Sequence, residues 1–211
     1  IVPVIKKNGG EIAKNCGVDK IWTENGKSKG VILEDGNKIS SDIVISSAGV
    51  ANTLTKFLRD DKSLQNYQSN MKEVKPSSGH ACLYIGFDKS AEQLGIKDTN
   101  LWVYPSYDHD TNVKKFNDDQ ENDFPVLYMS FASSKDPDWD KNHPNKATME
   151  VIVPSAFMHY EKWAELPWKK RGESYEAYKE DLSKRIIKEV YKHCPHLENQ
   201  ISYYELSTPL T

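Results

Sequence analysis

Residues 18–36 read VDKIWTENGKSKGVILEDG, and this stretch decides the fold of the first part of the chain. Its Asn25-Gly26 pair tolerates the positive φ angles of a tight hairpin turn, and branched and aromatic residues lie on both sides of the pair. Asp35-Gly36 is a second turn signal. The sequence therefore predicts a small antiparallel meander of three strands. These strands are predicted at residues 18–24, 30–34 and 38–40.

The residues before the meander have the pattern of a helix end. Residues 1–8 would form its last turns, because Lys6 and Lys7 suit the negative end of a helix. Gly9 or Gly10 can then adopt the left-handed conformation that often follows a helix. A short strand is predicted next, at residues 11–14.

Residues 42–49 read DIVISSAG, an apolar run that is closed by small residues. Such a run is typical of a strand that is buried on both faces of an α/β sheet, as in a Rossmann-type domain. Its small end would let a ligand approach closely. After it, Asn52 is predicted to cap a short helix at residues 53–58, and residues 59–75 are predicted to form a helix and a loop.

From Gly79 onward the sequence is typical of β structure, because aromatic and branched residues are concentrated in short segments. The polar residues 106–123 predict a surface loop. Apolar residues then recur at helical spacing before Pro195, which ends a predicted amphipathic helix. The apolar positions of that helix are Tyr175, Tyr178, Leu182, Ile186 and Val190. Strands are predicted at residues 80–87, 101–104, 126–132, 148–153 and 201–206.

These elements predict an α+β fold. The first part would be a small β-meander with one Rossmann-type strand. The larger part would be a mostly antiparallel sheet with helices on one side, because few crossover helices separate its strands.

Composition narrows the class of protein. The 211 residues include 28 basic and 31 acidic side chains, so the net charge of -3 does not favour nucleic acid as a partner. Three widely spaced cysteines without a CxxC pair favour a reducing compartment, and no apolar run is long enough to cross a bilayer. We expect a protein that is cytoplasmic or peripheral to a membrane. Ile1 and Thr211 look like cut ends, with no signal peptide at the start.

The order of motifs in the first 49 residues resembles the flavin-binding module of the carotenoid desaturase-like oxidoreductases. Later motifs resemble the retinol saturase-type members of that group, so that the resemblance covers essentially the whole chain. The early motifs are Gly9-Gly10-Glu11, Gly17-Val18-Asp19-Lys20-Ile21, Asn25-Gly26-Lys27, Gly30-Val31, Asp35-Gly36 and residues 42–49. The later motifs are residues 133–139, 148–149, 154–157, 171–178 and 207–211.

The resemblance implies a domain organisation and an FAD cofactor. Residues 1–49 would be part of an FAD-binding domain, residues 50–206 a substrate-binding domain and residues 207–211 the start of the return to the FAD domain. The GxGxxG turn that holds the flavin pyrophosphate in the family is not formed by any of the eleven glycines. The segment that closes over the flavin ring would follow Thr211.

Three positions can be matched to nucleotide contacts of the family. Val18 corresponds to a residue whose backbone meets the adenine, and Ala48 with Gly49 corresponds to the small strand end beside the nucleotide. Each has an equally strong structural interpretation, because Val18 can be an ordinary strand residue and Gly49 an ordinary strand terminator.

The parent protein would then be an FAD-dependent oxidoreductase that reduces or desaturates carbon-carbon bonds of a polyene or isoprenoid lipid. The fragment itself is expected to hold no flavin and to be inactive. The alternative is a non-catalytic binding or interaction domain that is built on the same scaffold. The sequence does not identify catalytic residues or decide the direction of reaction, the electron acceptor or the oligomeric state.

Two local patterns suggest metal ligands, but the sequence favours other roles. Asp136, Asp138 and Asp140 alternate as in a calcium loop, yet the later loop positions lack the required Gly and Glu, which favours a surface turn. Pro195 interrupts the spacing between His193 and His196 around Cys194. A histidine near the negative end of a helix explains that cluster better, so no metal site is predicted.

Aromatic residues on the predicted strands have two interpretations. They could line an apolar tunnel for a polyene, but core packing is favoured for aromatic residues in strands. His80 and Cys82 share one strand face by alternation, and the sequence shows no acidic partner for them. The five aromatic residues are Tyr84, Trp102, Tyr104, Tyr128 and Phe131.

A segment at residues 163–171 combines aromatic and basic side chains. Trp163, Leu166 and Trp168 precede three consecutive cationic residues, as in some peripheral membrane segments. A connection between helices with solvated charges is the favoured interpretation.

Overall fold

The predicted meander forms a three-stranded antiparallel sheet in the computed structural model, which describes residues 1–71, 73–74 and 78–210. Asn25 and Gly26 have φ angles of 51° and 71°, as the hairpin prediction required. A Cβ atom on Gly30 would lie 1.9 Å from the carbonyl oxygen of Ile39, so only glycine permits this approach of the second and third strands.

The meander lies in the first of two units, which falls within residues 1–75; the second falls within residues 76–211. Arg59 binds Asp19 and Lys20 binds Asp60, each at 2.7 Å, and these ion pairs join the helical part of the first unit to its sheet. The elements of this unit are α1 (Val2–Lys7), β1 (Val18–Glu24), β2 (Lys27–Leu33), β3 (Lys38–Ser40), α2 (Val50–Asn52), a π-helical turn (Thr53–Phe57), a 3₁₀ turn (Lys62–Leu64) and α3 (Gln65–Asn70).

Several predictions for the ends of these elements are confirmed. α1 ends at Lys7, and Gly9 adopts the left-handed conformation with a φ angle of 79°. The helix and loop predicted at residues 59–75 correspond to the 3₁₀ turn and α3, although residues 72 and 75 lie outside the described part. The assignment of residues 1–49, 50–206 and 207–211 to functional domains stays a prediction.

Three predictions for the first unit are wrong. Residues 11–14 form no strand, because the backbone bends there and Asn15 takes a positive φ angle of 55°. Residues 42–49 form no Rossmann-type strand either, since none of the described strands pairs with them, and an unpaired strand is not stable. Asn52 is not a cap: its helix begins at Val50, and its side-chain amide donates a hydrogen bond to the carbonyl of Ala48.

The second unit is built on a five-stranded antiparallel sheet with the strand order β5-β6-β7-β4-β8, in agreement with the predicted α+β class. Its strands are β4 (His80–Phe87), β5 (Leu101–Val103), β6 (Leu127–Ser130), β7 (Ala147–Pro154) and β8 (Ile201–Ser207). Its helices are α4 (His109–Asp118), α5 (Trp139–Asn142) and α6 (Glu173–His193). Its 3₁₀ turns are Ala132–Lys135, Phe157–His159, Glu161–Trp163 and Pro195–Leu197.

The core lies on one face of this sheet, which we call the closed face. Alternate residues of the strands, such as Leu83 and Val151, point to this face and are fully buried. The predicted amphipathic helix is α6, and its Leu182, Ile186 and Val190 belong to the same buried cluster. The helix therefore covers the closed face, which confirms a sheet with helices on one side.

The polar segment at residues 106–123 is not the surface loop that its composition predicted. It contains α4, which begins after Asp108, whose carboxylate accepts a hydrogen bond from the backbone N–H of Thr111. Phe116 is buried and contacts Phe124, with 5.6 Å between the ring centroids. A buried aromatic residue thus anchors an otherwise polar helix against the core.

Candidate functional site

The second face of the five-stranded sheet, which we call the open face, carries the candidate site. The side chains here form a depression of about 600 Å³ that all five strands line. Most of the lining is aromatic or aliphatic, whereas surface strands usually expose polar residues. The lining residues are His80, Cys82, Tyr84, Trp102, Val126, Tyr128, Glu150, Ile152, Pro154 and Ser207.

The strand register places one row of these residues directly across the sheet. From β5 to β8, the five paired residues of this row are Trp102, Tyr128, Ile152, Cys82 and Ser207. The rings of Trp102 and Tyr128 lie 4.5 Å apart between centroids. The row therefore forms an extended apolar surface that ends in a thiol and a hydroxyl group.

A second row lies beside the first and is more polar. Glu150 is opposite both Tyr84 and Ser130, and Tyr84 is opposite Glu205. Burial, with a smaller contribution from the charge of Glu150, raises the pKa of the Cys82 thiol, although its hydrogen bond with Tyr84 acts in the opposite direction. The same hydrogen bond raises the pKa of the Tyr84 hydroxyl. Both groups are therefore neutral near pH 7, and neither is an activated nucleophile.

Polar side chains close the β5 end of the depression. Asn100 donates a hydrogen bond of 2.6 Å to the hydroxyl of Tyr128, and its side-chain oxygen accepts one from the ammonium group of Lys135. The same ammonium group lies 3.5 Å from the hydroxyl oxygen of Ser130. These bonds hold the Tyr128 ring in place and leave its face toward the depression.

The aromatic residues singled out in the sequence divide between the two faces. Core packing, the favoured interpretation, is wrong for Tyr84, Trp102 and Tyr128, which lie on the open face; Trp102 is 61% exposed. It is confirmed for Phe131, which is buried in the core. Tyr104 is outside the depression and packs edge-on against His109 of α4 at 4.7 Å.

His80 and Cys82 share the open face, as their alternation predicted. The acidic residue that the sequence did not reveal is Glu150, which also lines the depression. Its position between Met149 and Val151 fits the alternation of β7, but only the register with β4 shows that it is opposite Tyr84.

The residues suggested as metal ligands serve local structure. Asp136 accepts a hydrogen bond from the backbone N–H of Asp138 in the turn before α5, as a surface turn requires. His193 ends α6 and lies 3.7 Å from the carboxylate of Glu189. Within residues 1–71, 73–74 and 78–210, no cluster of three His, Cys, Asp or Glu side chains has metal-binding geometry.

The segment at residues 163–171 connects the sheet to α6. Trp163 is buried in a small aromatic cluster with Tyr160 and Tyr175, and its indole N–H donates a hydrogen bond to Ser174. Trp168 is exposed, with the ammonium group of Lys169 over its ring. The interpretation of this segment as a connection between helices is confirmed, because Trp163 packs in the buried aromatic cluster. No helix among the described residues has the length and apolar character that crossing a bilayer requires.

The three matched nucleotide positions lie in the first unit. Val18 begins β1, which is an edge strand of the meander and pairs with β2. Ala48 and Gly49 are exposed and precede α2, and Gly49 has a φ angle of 86°. A Cβ atom on Gly49 would meet no heavy atom within 4 Å, so the space beside this backbone is open.

Comparison with known proteins finds relatives that are named as reductases and desaturases. It is 29% identical over its whole length to the all-trans-retinol 13,14-reductase of Rattus norvegicus and 27% identical to an inactive all-trans-retinol 13,14-reductase of Danio rerio. Over 72% of its length it is 31% identical to a 4,4'-diapophytoene desaturase of a Methylomonas species, of which it covers 28%. No protein-family model matches the chain.

The fold agrees with these relatives. An oxidoreductase from Methanosarcina mazei superposes on 99% of the chain with a TM-score of 0.64 and 17% sequence identity. The chain is a relative of the carotenoid desaturase-like and retinol saturase-like oxidoreductases. It spans 36% of the length of the retinol reductases and 40% of the solved oxidoreductase chain.

Proposed function

We propose that this chain forms the polyene-binding sheet of an FAD-dependent oxidoreductase that reduces or desaturates carbon-carbon bonds of a polyene or isoprenoid lipid. The observation that carries the proposal is the open face, where an aromatic and aliphatic depression of about 600 Å³ lies on a five-stranded sheet. The printed names of the relatives, a retinol reductase and a diapophytoene desaturase, support a substrate of this class.

The chemistry of the depression suits a conjugated hydrocarbon. A flat polyene can lie against the rings of Trp102 and Tyr128, whose centroids are 4.5 Å apart, and bury apolar surface on both. Ile152 and Pro154 extend this surface along β7. The hydroxyl oxygen of Tyr128 already accepts a hydrogen bond from Asn100, so its ring can contact an apolar ligand while this oxygen stays paired.

The first unit would contribute to the nucleotide side of the FAD site. The open space beside Gly49, the small side chain of Ala48 and the edge position of Val18 fit close approach by an adenosine group. When bound, the flavin supplies the hydride chemistry, and the protein supplies the binding surface and the orientation of the substrate.

Energy transfer from tryptophan to a bound polyene tests the substrate proposal. All-trans-retinol added to the 211-residue chain should quench its tryptophan emission, and Trp102→Ala should weaken binding about tenfold. Trp168→Ala is the matched control, because Trp168 is 63% exposed and lies outside the depression. Equal affinity of the wild-type chain and Trp102→Ala would contradict the proposal.

The flavin proposal has a separate test. We expect the 211-residue chain to lose flavin absorbance on gel filtration, because no glycine turn of the sequence can bind the pyrophosphate. A stoichiometric flavin spectrum that stays with the chain would show that this turn is not required.

A non-catalytic binding domain on the same scaffold is the second candidate. It is favoured by the 27% identity to a relative that is named inactive. A strand followed by GxGxxG upstream of Ile1 in the native reading frame would support the enzyme, and a start codon directly before Ile1 would support the binding domain. Under either candidate, the exposed Leu166 and Trp168 beside Lys169 are proposed to make peripheral membrane contact, which binding to anionic vesicles would test.

A further inference from the structure

Glu150 is an unpaired carboxylate on the floor of an apolar depression. Its side chain is half-buried on the open face of β7, two strands away from each edge of the sheet. Among the residues that the structure describes, none donates a hydrogen bond to this carboxylate or forms an ion pair with it. An acceptor that is partly removed from water without a partner costs free energy, which a ligand that donates a hydrogen bond would recover.

The polar groups around Glu150 already have partners. Interaction with the Cys82 thiol raises the pKa of the Tyr84 hydroxyl, and interaction with Ser207 acts in the opposite direction. The Lys135 ammonium group is held by Asn100 and Ser130. Glu150 is the acidic side chain in the lining of the depression, and none of the described residues donates a hydrogen bond to it.

We infer that Glu150 binds the hydroxyl end group of a polyene or isoprenoid alcohol. The apolar body of the lipid would lie along Trp102, Tyr128 and Ile152, and its terminal hydroxyl would donate a hydrogen bond to the carboxylate of Glu150. Hydrogen bonds that involve a charged partner are stronger than neutral ones and depend on geometry. The inference rests on the proposed polyene site and adds the residue that would select the end group of its ligand.

The same geometry discriminates against two related ligands. A pure hydrocarbon offers no donor and would leave Glu150 unpaired in a desolvated position. A carboxylic acid, ionised near pH 7, would bring a second negative charge beside Glu150. The site should therefore prefer the alcohol to both the hydrocarbon and the acid.

Binding of three matched probes to the 211-residue chain tests this inference. The probes are all-trans-retinol, its deoxy hydrocarbon and all-trans-retinoic acid, with affinity measured by quenching of tryptophan emission. The wild-type chain should bind the alcohol about tenfold more tightly than either other probe. Glu150→Leu should abolish the preference over the hydrocarbon, and Glu150→Gln should abolish the discrimination against the acid.

Glu205→Gln is the matched control. Glu205 is on the same face of the sheet, opposite Tyr84, but it does not line the depression, and its carboxylate accepts a hydrogen bond of 2.8 Å from the Tyr203 hydroxyl. This variant should keep the wild-type preferences. Thermal unfolding monitored by circular dichroism would verify that all variants are folded.

The outcomes separate the inference from the function on which it rests. Tight binding of all three probes with equal affinity, or an alcohol preference that survives in Glu150→Leu, would overturn the role of Glu150 and keep the polyene site. Failure of all three probes to bind would overturn both.

Discussion

The two faces of the five-stranded sheet are made by the same strands, yet they differ completely in exposure. Leu83 and Val151 point to the closed face and have no exposed surface, whereas Tyr84 and Trp102 on the open face are 44% and 61% exposed. Alternation along each strand explains how one sequence serves two faces. The apolar residues of the closed face form the core and stabilise the fold. The open face exposes aromatic side chains that the packing of the core does not explain, and the proposed binding site rests on them.

The largest expected effect is on the closed face. Leu83→Ala removes a fully buried side chain at the centre of the sheet, where Leu83 pairs with Val151 and Leu206. We expect the free energy of unfolding to fall by about 3–4 kcal/mol, because the substitution leaves a cavity. Urea denaturation measures this. A loss below about 1 kcal/mol would show that the closed face is not the main source of stability.

An intermediate effect is expected in the aromatic cluster between the sheet and α6. Tyr160→Phe removes a buried hydroxyl that lies 2.6 Å from the hydroxyl of Ser155, and it should lower the free energy of unfolding by about 1–2 kcal/mol near pH 7. Ser155→Ala is the matched variant, because it removes the other partner of the same bond.

The same residue makes stability depend on alkaline pH. Burial raises the pKa of Tyr160 above its ordinary value of 10.0. Above that pH the unfolded chain releases this proton and the folded chain keeps it, so stability is full below pH 10 and falls as pH rises. The slope of unfolding free energy against pH between 10 and 12 should therefore be less steep in Tyr160→Phe, by up to about 1.4 kcal/mol per pH unit. Equal slopes would contradict this role.

The smallest expected effect on stability is on the open face. Ile152→Ala changes a half-buried side chain that lines the depression, and it should lower the free energy of unfolding by less than about 1 kcal/mol. It should nevertheless weaken retinol binding severalfold, because apolar contact area is lost. A cost in stability equal to that of Leu83→Ala would remove the distinction between the faces.

Prediction from the sequence succeeded where local chemistry decides the structure. Asn25-Gly26 and Asp35-Gly36 specify their turns regardless of what lies elsewhere, and the apolar spacing of α6 is visible without a partner. It failed at residues 42–49 and in the polar segment that contains α4. A strand at 42–49 needs neighbours that the composition of the segment does not supply, and α4 packs against the core through its buried residue Phe116.

The sequence by itself determined the meander, the strands of the larger sheet, the long helix and the resemblance to flavin-dependent oxidoreductases. Turn residues and hydrophobic periodicity are local properties, so they can be recognised from the amino-acid sequence alone. Only the tertiary structure decided which face of the sheet α6 covers, and hence that Trp102 and Tyr128 lie on the open face and Phe131 is buried in the core. The register between β7 and β4, which places Glu150 opposite Tyr84, depends on pairing between distant segments.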